Sequence, residues 1–223
     1  MFTFLLSMQT PEEDSLLLIL LVRAQVLFLP EACDMLFDDA SQMPDVLKKD
    51  ALPNFERKIA DAASACNLLT FLGMHIKKGS EEKRCANALM AIYPRSDPSD
   101  KVQGDGEGAA SNTTQVYEKT HLFKSDMPGH PKIDESKTTM PGDALRITKV
   151  QLKGKALWQV GMAICYDLRF PYIAAHYRQQ GAHILTYPSA WMIPTASHWG
   201  KRCSCLLFLY IAQASFLGDG LSL

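Results

Sequence analysis

The chain has 223 residues, of which 47% are hydrophobic and 21% are charged, and this is enough apolar material to bury the core of one domain. Its 23 basic and 24 acidic residues give a formal charge of −1, which argues against a nucleic-acid-binding domain and rules out an acidic disordered chain. Six cysteines are too few for a disulfide scaffold, and no apolar run is long enough to span a bilayer. We therefore expect a soluble cytoplasmic protein, with a mitochondrial location as the alternative, and no nucleic-acid or membrane partner.

The first half of the chain predicts strands around one helix. Residues 26–29 are a short apolar run that ends at a proline, which is typical of a strand buried on both faces. A helix is expected at about 54–66, where apolar residues recur at helical spacing, and further strands are expected at 68–76 and 87–93. The following segment, 94–114, has almost no apolar residue, so we expect an exposed and disordered insert.

The second half predicts a strand, a turn, a helix and another strand. The first strand is expected at 160–164, and the helix at 171–180 begins with a proline and is followed by Gly181. The second strand is expected at 182–187, with Pro188 as its end. This order is the layout of an α/β layered domain.

Cys165 is the first residue that could carry chemistry. It directly follows the predicted strand 160–164 and precedes the predicted helix, which is where α/β sheets expose reactive groups. A helix amino end and a nearby cation would lower the pKa of such a thiol. Taken alone, however, a cysteine at a strand end is more often a small buried hydrophobic residue. Cys203 and Cys205 are too isolated from other ligands for a zinc site.

Glu31 and Lys119 are the other two candidates. Glu31 follows the strand at 26–29 and could act as a general base if burial raises its pKa, although a turn residue or a helix cap is the simpler explanation. Alternation places Tyr117, Lys119 and His121 on one face of a predicted strand and Thr120 on the other. An inward lysine could stabilise an oxyanion or a thiolate, whereas an ordinary surface lysine extends its charge into solvent.

Together these residues resemble the nitrilase, or carbon–nitrogen hydrolase, superfamily, which uses Glu, Lys and Cys in this order. The matching stretches are FLPEA at 28–32, YEKTHLF at 117–123, GMAICYDLRFP at 161–171 and GAHILTYPSA at 181–190. The resemblance implies an α/β fold, an incomplete αββα sandwich, in which Glu31, Lys119 and Cys165 form the catalytic triad at strand ends.

A further stretch, ESKTTMPG at 135–142, is similar to the Nit subgroup of this superfamily. In that subgroup a second glutamate supports the site, which makes Glu135 the candidate here. The subgroup implies deaminated glutathione as the substrate, with 2-oxoglutarate and cysteinylglycine as products. Hydrolysis of 2-oxoglutaramate and an inactive fragment are the alternatives.

The resemblance implies a thiol amidase that needs no cofactor and no metal. Cys165 attacks the carbonyl of a small-molecule amide, and Glu31 passes the thiol proton to the departing nitrogen. Lys119 and a backbone N–H near Tyr166 stabilise the oxyanion. Arg169 is expected either to anchor a substrate carboxylate or to form a structural ion pair.

The resemblance covers roughly 24–199, which we expect to be a partial hydrolase domain. Residues 1–23 do not resemble the family's first strand and helix, and 200–223 do not resemble its later strands. We therefore expect a divergent leading segment, a non-family tail, and truncation or mis-splicing as their cause. Intact family members imply a homo-oligomer. Tyr172 stands where the family usually has a glutamate.

Overall fold

The fold is known from a computed structural model, which describes residues 5–6, 25–34, 51–79, 84–94, 114–126, 128, 132–151, 157–190 and 207–210. Within these ranges the chain forms two mixed sheets, a small two-stranded sheet and two α-helices. The predicted insert at 94–114 lies outside the described residues except for its two end residues. Most of 1–23 and 200–223 also lies outside them.

The first sheet has five strands in the order in which they occur along the chain. They are β1 (Leu5–Leu6), β2 (Val26–Phe28), β3 (Leu69–Lys77), β4 (Cys85–Ile92) and β5 (Gln115–Glu118). Strands β1, β2 and β3 are parallel, and β3, β4 and β5 are antiparallel. The parallel pair β2 and β3 is joined through helix α1 (Ala51–Ala65), because parallel neighbours need a long crossover.

The second sheet has the order β11-β10-β9-β8. Its strands are β8 (Arg146–Gln151), β9 (Leu157–Met162), β10 (Ile184–Ala190) and β11 (Leu207–Tyr210), and only β9 and β10 are parallel. A 3₁₀ helix (Cys165–Arg169) and helix α2 (Pro171–Gln179) connect this parallel pair. The small sheet consists of β6 (Lys124–Ser125) and β7 (Ile133–Asp134).

The apolar clusters show that the layers are ordered helix, sheet, sheet, helix. The main core lies between the two sheets, where Phe71 and Tyr117 of the first sheet share a cluster with Val160 and Met162 of the second. The opposite face of the first sheet is covered by α1, and that of the second by α2. The predicted αββα sandwich is therefore confirmed. No described helix is both long and apolar enough to cross a membrane.

The bounds of β9 and β10 differ from the sequence prediction at both ends. Strand β9 begins at Leu157 and ends at Met162, so the strand expected at 160–164 is shifted toward the amino end. Strand β10 passes through Pro188 to Ala190, although the proline was expected to end it. Its ladder with β9 stops at Thr186, and Pro188 pairs only with β11, so the missing N–H of proline is tolerated there.

Candidate active site

Glu31 enters the site because the chain crosses closely over β3 after β2 ends. The N–H of Leu29 donates to the Phe71 carbonyl at 2.8 Å, which extends the strand pairing almost to Glu31. Gly73 permits the crossing, since a Cβ there would lie 2.2 Å from the Pro30 carbonyl oxygen. The Glu31 side chain is consequently buried, with 5% of the residue exposed. Its carboxylate belongs to a cluster described below, so the turn and helix-cap explanations do not account for it.

Lys119 is fixed by its backbone at the end of β5. Its N–H donates to the Asn87 carbonyl at 2.8 Å, and its own carbonyl accepts from the N–H of Gly142 at 2.9 Å. The side chain points inward, and only 2% of the residue is exposed. The alternative of a surface lysine that extends into solvent is therefore wrong.

The predicted alternation beyond Lys119 is also wrong. Strand β5 ends at Glu118, and Thr120 and His121, which were expected on opposite faces, bind the same carboxylate. Asp167 accepts from the Thr120 hydroxyl at 3.1 Å and contacts Nδ1 of His121 at 2.8 Å. A fully buried carboxylate requires several hydrogen-bond donors. Because Thr120 and His121 both bind Asp167, the segment after Lys119 leaves the path of the strand.

Cys165 begins the 3₁₀ helix that follows β9, with Ala163 and Ile164 between the strand and the thiol. Its φ of +42° is left-handed, a conformation that costs a non-glycine residue about 1–3 kcal/mol. Asp167 stabilises this turn from both sides. Its side chain accepts from the N–H of Ile164 at 2.9 Å, and its own N–H donates to the Ile164 carbonyl at 2.9 Å.

The side chains of Glu31, Lys119 and Glu135 form one buried ionic cluster. The Lys119 ammonium donates to Glu31 Oε1 at 2.9 Å and contacts both Glu135 oxygens at 3.1 and 2.9 Å. The second oxygen of Glu31 accepts from the N–H of Ala190 at 2.8 Å, and that of Glu135 accepts from the N–H of Phe123 at 2.7 Å. The structure thus brings the predicted second glutamate into contact with the predicted lysine.

Asn87 also belongs to this cluster, and the sequence analysis missed it. Its side-chain amide donates to Glu31 Oε1 at 2.8 Å and to Glu135 Oε1 at 3.1 Å. The available signal was a single amide side chain in β4, an otherwise apolar strand with the sequence CANALMAI. Buried amides in such strands are held by specific hydrogen bonds, so the position indicated a buried polar partner.

The pKa values differ from those that the sequence suggested. Burial acts to raise the pKa of Glu31, but the charge of Lys119 and its donors outweigh burial and hold that pKa below its usual value of 4.5. Burial works against the charge of Lys119, whereas Glu31 and Glu135 raise its pKa above the usual range. Burial, the Glu31 charge and a hydrogen bond to Glu31 raise the pKa of Cys165, and Lys119 opposes this only in part. Both directions are opposite to the ones that the sequence analysis considered for these two groups.

Asp167 connects the site to the protein surface. It accepts from the Tyr117 hydroxyl at 2.7 Å, and His121, which it binds, stacks on Phe170 with ring centroids 3.6 Å apart. Nε2 of His121 lies 2.7 Å from the hydroxyl of Tyr172, which is 57% exposed. Tyr172, which stands where the family usually has a glutamate, therefore forms a hydrogen bond with His121.

Tyr166 and Arg169 lie on the same 3₁₀ helix as Cys165. The Tyr166 ring contacts Phe123 and Phe170 edge-on, at centroid distances of 5.2 and 5.5 Å. Arg169 is exposed at the last position of this helix, and its anchoring of a substrate carboxylate stays a prediction. Among the described residues, no group of three or more His, Cys, Asp or Glu side chains is arranged to hold a metal ion.

The chain is similar in sequence to known carbon–nitrogen hydrolases. The family model of the carbon–nitrogen hydrolases matches residues 18–204 of the chain. A probable hydrolase, nit2, from Schizosaccharomyces pombe is 29% identical over 177 residues, which are 79% of this chain and 57% of that protein. Human deaminated glutathione amidase is 33% identical over 173 residues, 77% of this chain and 48% of that protein. Human omega-amidase NIT2 is 40% identical over 84 residues, 37% of this chain and 29% of that protein.

The chain thus spans about half the length of the curated relatives that it matches over most of its own length. Among solved structures, the Caenorhabditis elegans NitFhit protein has a TM-score of 0.61 at 25% identity, covering 81% of this chain and 40% of that one. An amidase from Nesterenkonia sp. has a TM-score of 0.60 at 16% identity, covering 84% and 60%, and this likeness shows the fold alone. The α/β sandwich is that of the nitrilase superfamily, and the chain belongs to its carbon–nitrogen hydrolase family.

Proposed function

We propose that this site hydrolyses an amide carbon–nitrogen bond with Cys165 as the nucleophile, Glu31 as the general base and Lys119 as an oxyanion donor. The observation that carries the proposal is the contact of a buried lysine with a buried glutamate at 2.9 Å, beside a cysteine whose thiol lies close enough for both charges to act on its pKa. A purely structural ion pair has no use for an adjacent thiol on a left-handed turn.

The reaction begins with a neutral thiol and an ionised glutamate. As the sulfur attacks the amide carbonyl, Glu31 removes the thiol proton and transfers it to the departing nitrogen, so that an amine leaves and a thioester remains. Water, deprotonated by Glu31, then attacks the thioester, and the products are a carboxylic acid and the restored thiol.

Two donors are available for the negative oxygen that forms in each step. Lys119 carries a fixed charge, and Tyr166 lies in the first turn of the 3₁₀ helix, where backbone N–H groups have no partner within the helix. One such donor is typically worth about 2.7–4 kcal/mol of transition-state stabilisation. Glu135 holds Lys119 in place from the other side.

We further propose deaminated glutathione as the substrate, which would be cleaved to 2-oxoglutarate and cysteinylglycine. The support is the relative of that name, which matches 77% of this chain, whereas human omega-amidase NIT2 matches 37%. The second candidate is the omega-amidase reaction on 2-oxoglutaramate, because identity to that relative is higher over the shorter match.

The test is release of 2-oxoglutarate from the two amides by wild-type and Cys165→Ser proteins. Serine is nearly the same size as cysteine, but its hydroxyl is a far weaker nucleophile with a glutamate base, so turnover should be lost while the fold is kept. Cys66→Ser, at a cysteine just beyond α1, should retain turnover. Turnover that survives Cys165→Ser would refute the thiol mechanism.

A cytoplasmic homo-oligomer that acts on a small-molecule amide belongs to the same proposal. Size-exclusion chromatography with light scattering measures the oligomeric state, and cell fractionation tests the compartment. A monomer that retains full turnover would contradict the oligomer.

A further inference from the structure

The polar residues of the site are Glu31, Lys119, Glu135 and Cys165, and Asn87 contacts the first three of them. Its side-chain nitrogen donates to Glu31 Oε1 at 2.8 Å and to Glu135 Oε1 at 3.1 Å. Its backbone carbonyl accepts from the N–H of Lys119 at 2.8 Å. An amide NH₂ group has two hydrogens, and here each carboxylate takes one of them. The nitrogen and the oxygen of this amide are thereby distinguished, because only the nitrogen can face two carboxylates.

The charge balance of the cluster explains why a neutral donor is placed there. Glu31 and Glu135 share a single cation, Lys119, so a buried and a partly buried negative charge lie close together. Like charges in a buried site disfavour the ionised state of one of them. The Asn87 amide gives each carboxylate a hydrogen bond without adding a second cation. A second cation would make Glu31 a weaker base.

The other titratable groups around Asn87 are already accounted for. Across the β3–β4 ladder, Asn87 faces His75, whose Nδ1 lies 3.1 Å from the Asp34 carboxylate. The remaining titratable groups near the cluster are two thiols. Burial and the charge of Glu135 raise the pKa of Cys85, and the charges of Glu31 and Lys119 act on Cys165. The pH response of the cluster is therefore set by these groups together with Lys119 and the two glutamates.

Asn87 keeps this arrangement at an energetic cost. The residue is only 4% exposed, and its side-chain oxygen has no hydrogen-bond partner within the described part of the chain. An unsatisfied buried acceptor destabilises the folded state, because it loses its hydrogen bonds to water. Strand β4 is otherwise apolar, and a small apolar residue at this position would avoid that cost. The amide is thus explained by what its nitrogen does.

We propose that Asn87 is a positioning residue whose amide holds the Glu31 and Glu135 carboxylates on either side of Lys119, in the geometry that lets Glu31 accept the Cys165 proton. This inference rests on the proposed function of the site and adds a residue to it. Asn87 acts through Glu31, and it does not itself touch the reacting carbonyl.

The test measures the pH dependence of Cys165 alkylation by iodoacetamide, quantified by peptide mass spectrometry on the 223-residue chain. Asn87→Ala removes both donors, so the pH of half-maximal alkylation should rise by about one unit. Asn87→Asp has the same shape but adds a third carboxylate, and it should raise that pH further. Asn87→Ser, which has one donor, should lie between wild type and Asn87→Ala, and it provides the comparison if the aspartate variant does not fold.

The control is Leu89→Val, which lies two residues along the same face of β4 and packs in the core between the sheets. It should lower the melting temperature without moving the alkylation profile. If the Asn87 variants also lower the melting temperature only, Asn87 is structural and the inference is wrong. If they move the profile in a protein that cleaves neither amide, the positioning role stands and the proposed function fails.

Discussion

The Cys165 thiol holds the proton of the candidate site at rest. Burial and the neighbouring Glu31 raise the pKa of the thiol. The pKa of Glu31 stays low despite burial, because Lys119 and the other hydrogen-bond donors to Glu31 stabilise its carboxylate. The proposed nucleophile is therefore not a preformed thiolate of the kind found at helix amino ends. In the proposed reaction it becomes nucleophilic only as Glu31 takes the proton, which couples activation to the arrival of an electrophile.

This coupling predicts the effect of Glu31→Gln. Glutamine keeps the shape of the side chain but cannot accept the thiol proton, so amide hydrolysis should fall by about 10²–10⁴-fold. Alkylation of Cys165 needs the thiolate, so its pH profile should move to lower pH in Glu31→Gln, because the Glu31 charge raises the pKa of the thiol. Glu56→Gln on α1, outside the cluster, should change neither turnover nor the profile. An unchanged profile in Glu31→Gln would show that the Glu31 charge does not act on the thiol.

The same low pKa predicts how stability depends on pH. A carboxylate whose pKa is lower in the folded state stabilises the fold above its unfolded pKa, near 4.5 here, and this contribution is lost as the pH falls through the folded value. The free energy of unfolding of wild type, measured with urea, should therefore fall as the pH drops below about 4.5. It should fall less in Glu31→Gln. An equal acid dependence in both proteins would mean that Glu31 is not stabilised as an ion.

Some of these residues could be read from the sequence and others could not. Four of the site residues stand in stretches whose sequence resembles that of a family, and the structure brings them together: Glu31, Lys119, Cys165 and Glu135. The backbone N–H of Ala190, which binds Glu31, has no sequence signature, because every residue except proline carries one. Asn87 did have a signature, in the contrast between one amide and the apolar strand around it.

At the scale of elements, Asp167 joins the segment that carries Lys119 to the turn that carries Cys165. It accepts from groups on both, including the N–H of Ile164 at 2.9 Å and the N–H of His121 at 3.1 Å. The boundary of β5 could not be predicted from alternation, since it depends on this partner nearly fifty residues further along the chain.

Asp167→Asn tests that connection. An amide nitrogen would face buried donors, so the free energy of unfolding should fall by about 2–3 kcal/mol and Cys165 alkylation should slow. Asp126→Asn removes an exposed partner of Lys132 and should change stability by less than about 1 kcal/mol. Urea denaturation gives both values. A loss of stability in Asp167→Asn without slower alkylation would show that Asp167 does not position the thiol.

Gly73 is a second residue that controls how elements approach each other, because it lets the chain before Glu31 cross β3. Gly73→Ala would place a methyl group against the Pro30 carbonyl, so Glu31 should be displaced from Lys119 and amide turnover should drop about 10²-fold. Gly79→Ala has open space but a φ of +152°, so it should cost stability without reducing turnover per folded molecule. If the two variants lose equal turnover, crowding at Glu31 is not the cause.

At the scale of the whole molecule, the site exists only when the two sheets pack together. Glu31 and Lys119 follow strands of the first sheet, whereas Cys165 follows a strand of the second sheet and Ala190 ends another. Strand–helix–strand patterning predicted an α/β layered domain, because apolar runs and helical spacing report burial directly, and the resemblance to a family predicted the αββα order of the layers. It could not predict that Leu5–Leu6 pairs with β2 or that Leu207–Tyr210 pairs with β10, since short edge strands have little pattern of their own.

The last prediction concerns the length of chain that the activity needs. This chain covers 48% of human deaminated glutathione amidase, and a chimera can take the remaining length from that relative. We expect the chimera to release 2-oxoglutarate from deaminated glutathione at least about tenfold faster than the 223-residue chain. The added length should bury more apolar surface and hold the two sheets in register, and small displacements of reacting groups are costly. Cys165→Ser in the chimera should abolish the release, which excludes a contribution from the grafted segments. Equal turnover by the 223-residue chain would show that its own residues suffice to hold Glu31, Lys119 and Cys165 in place.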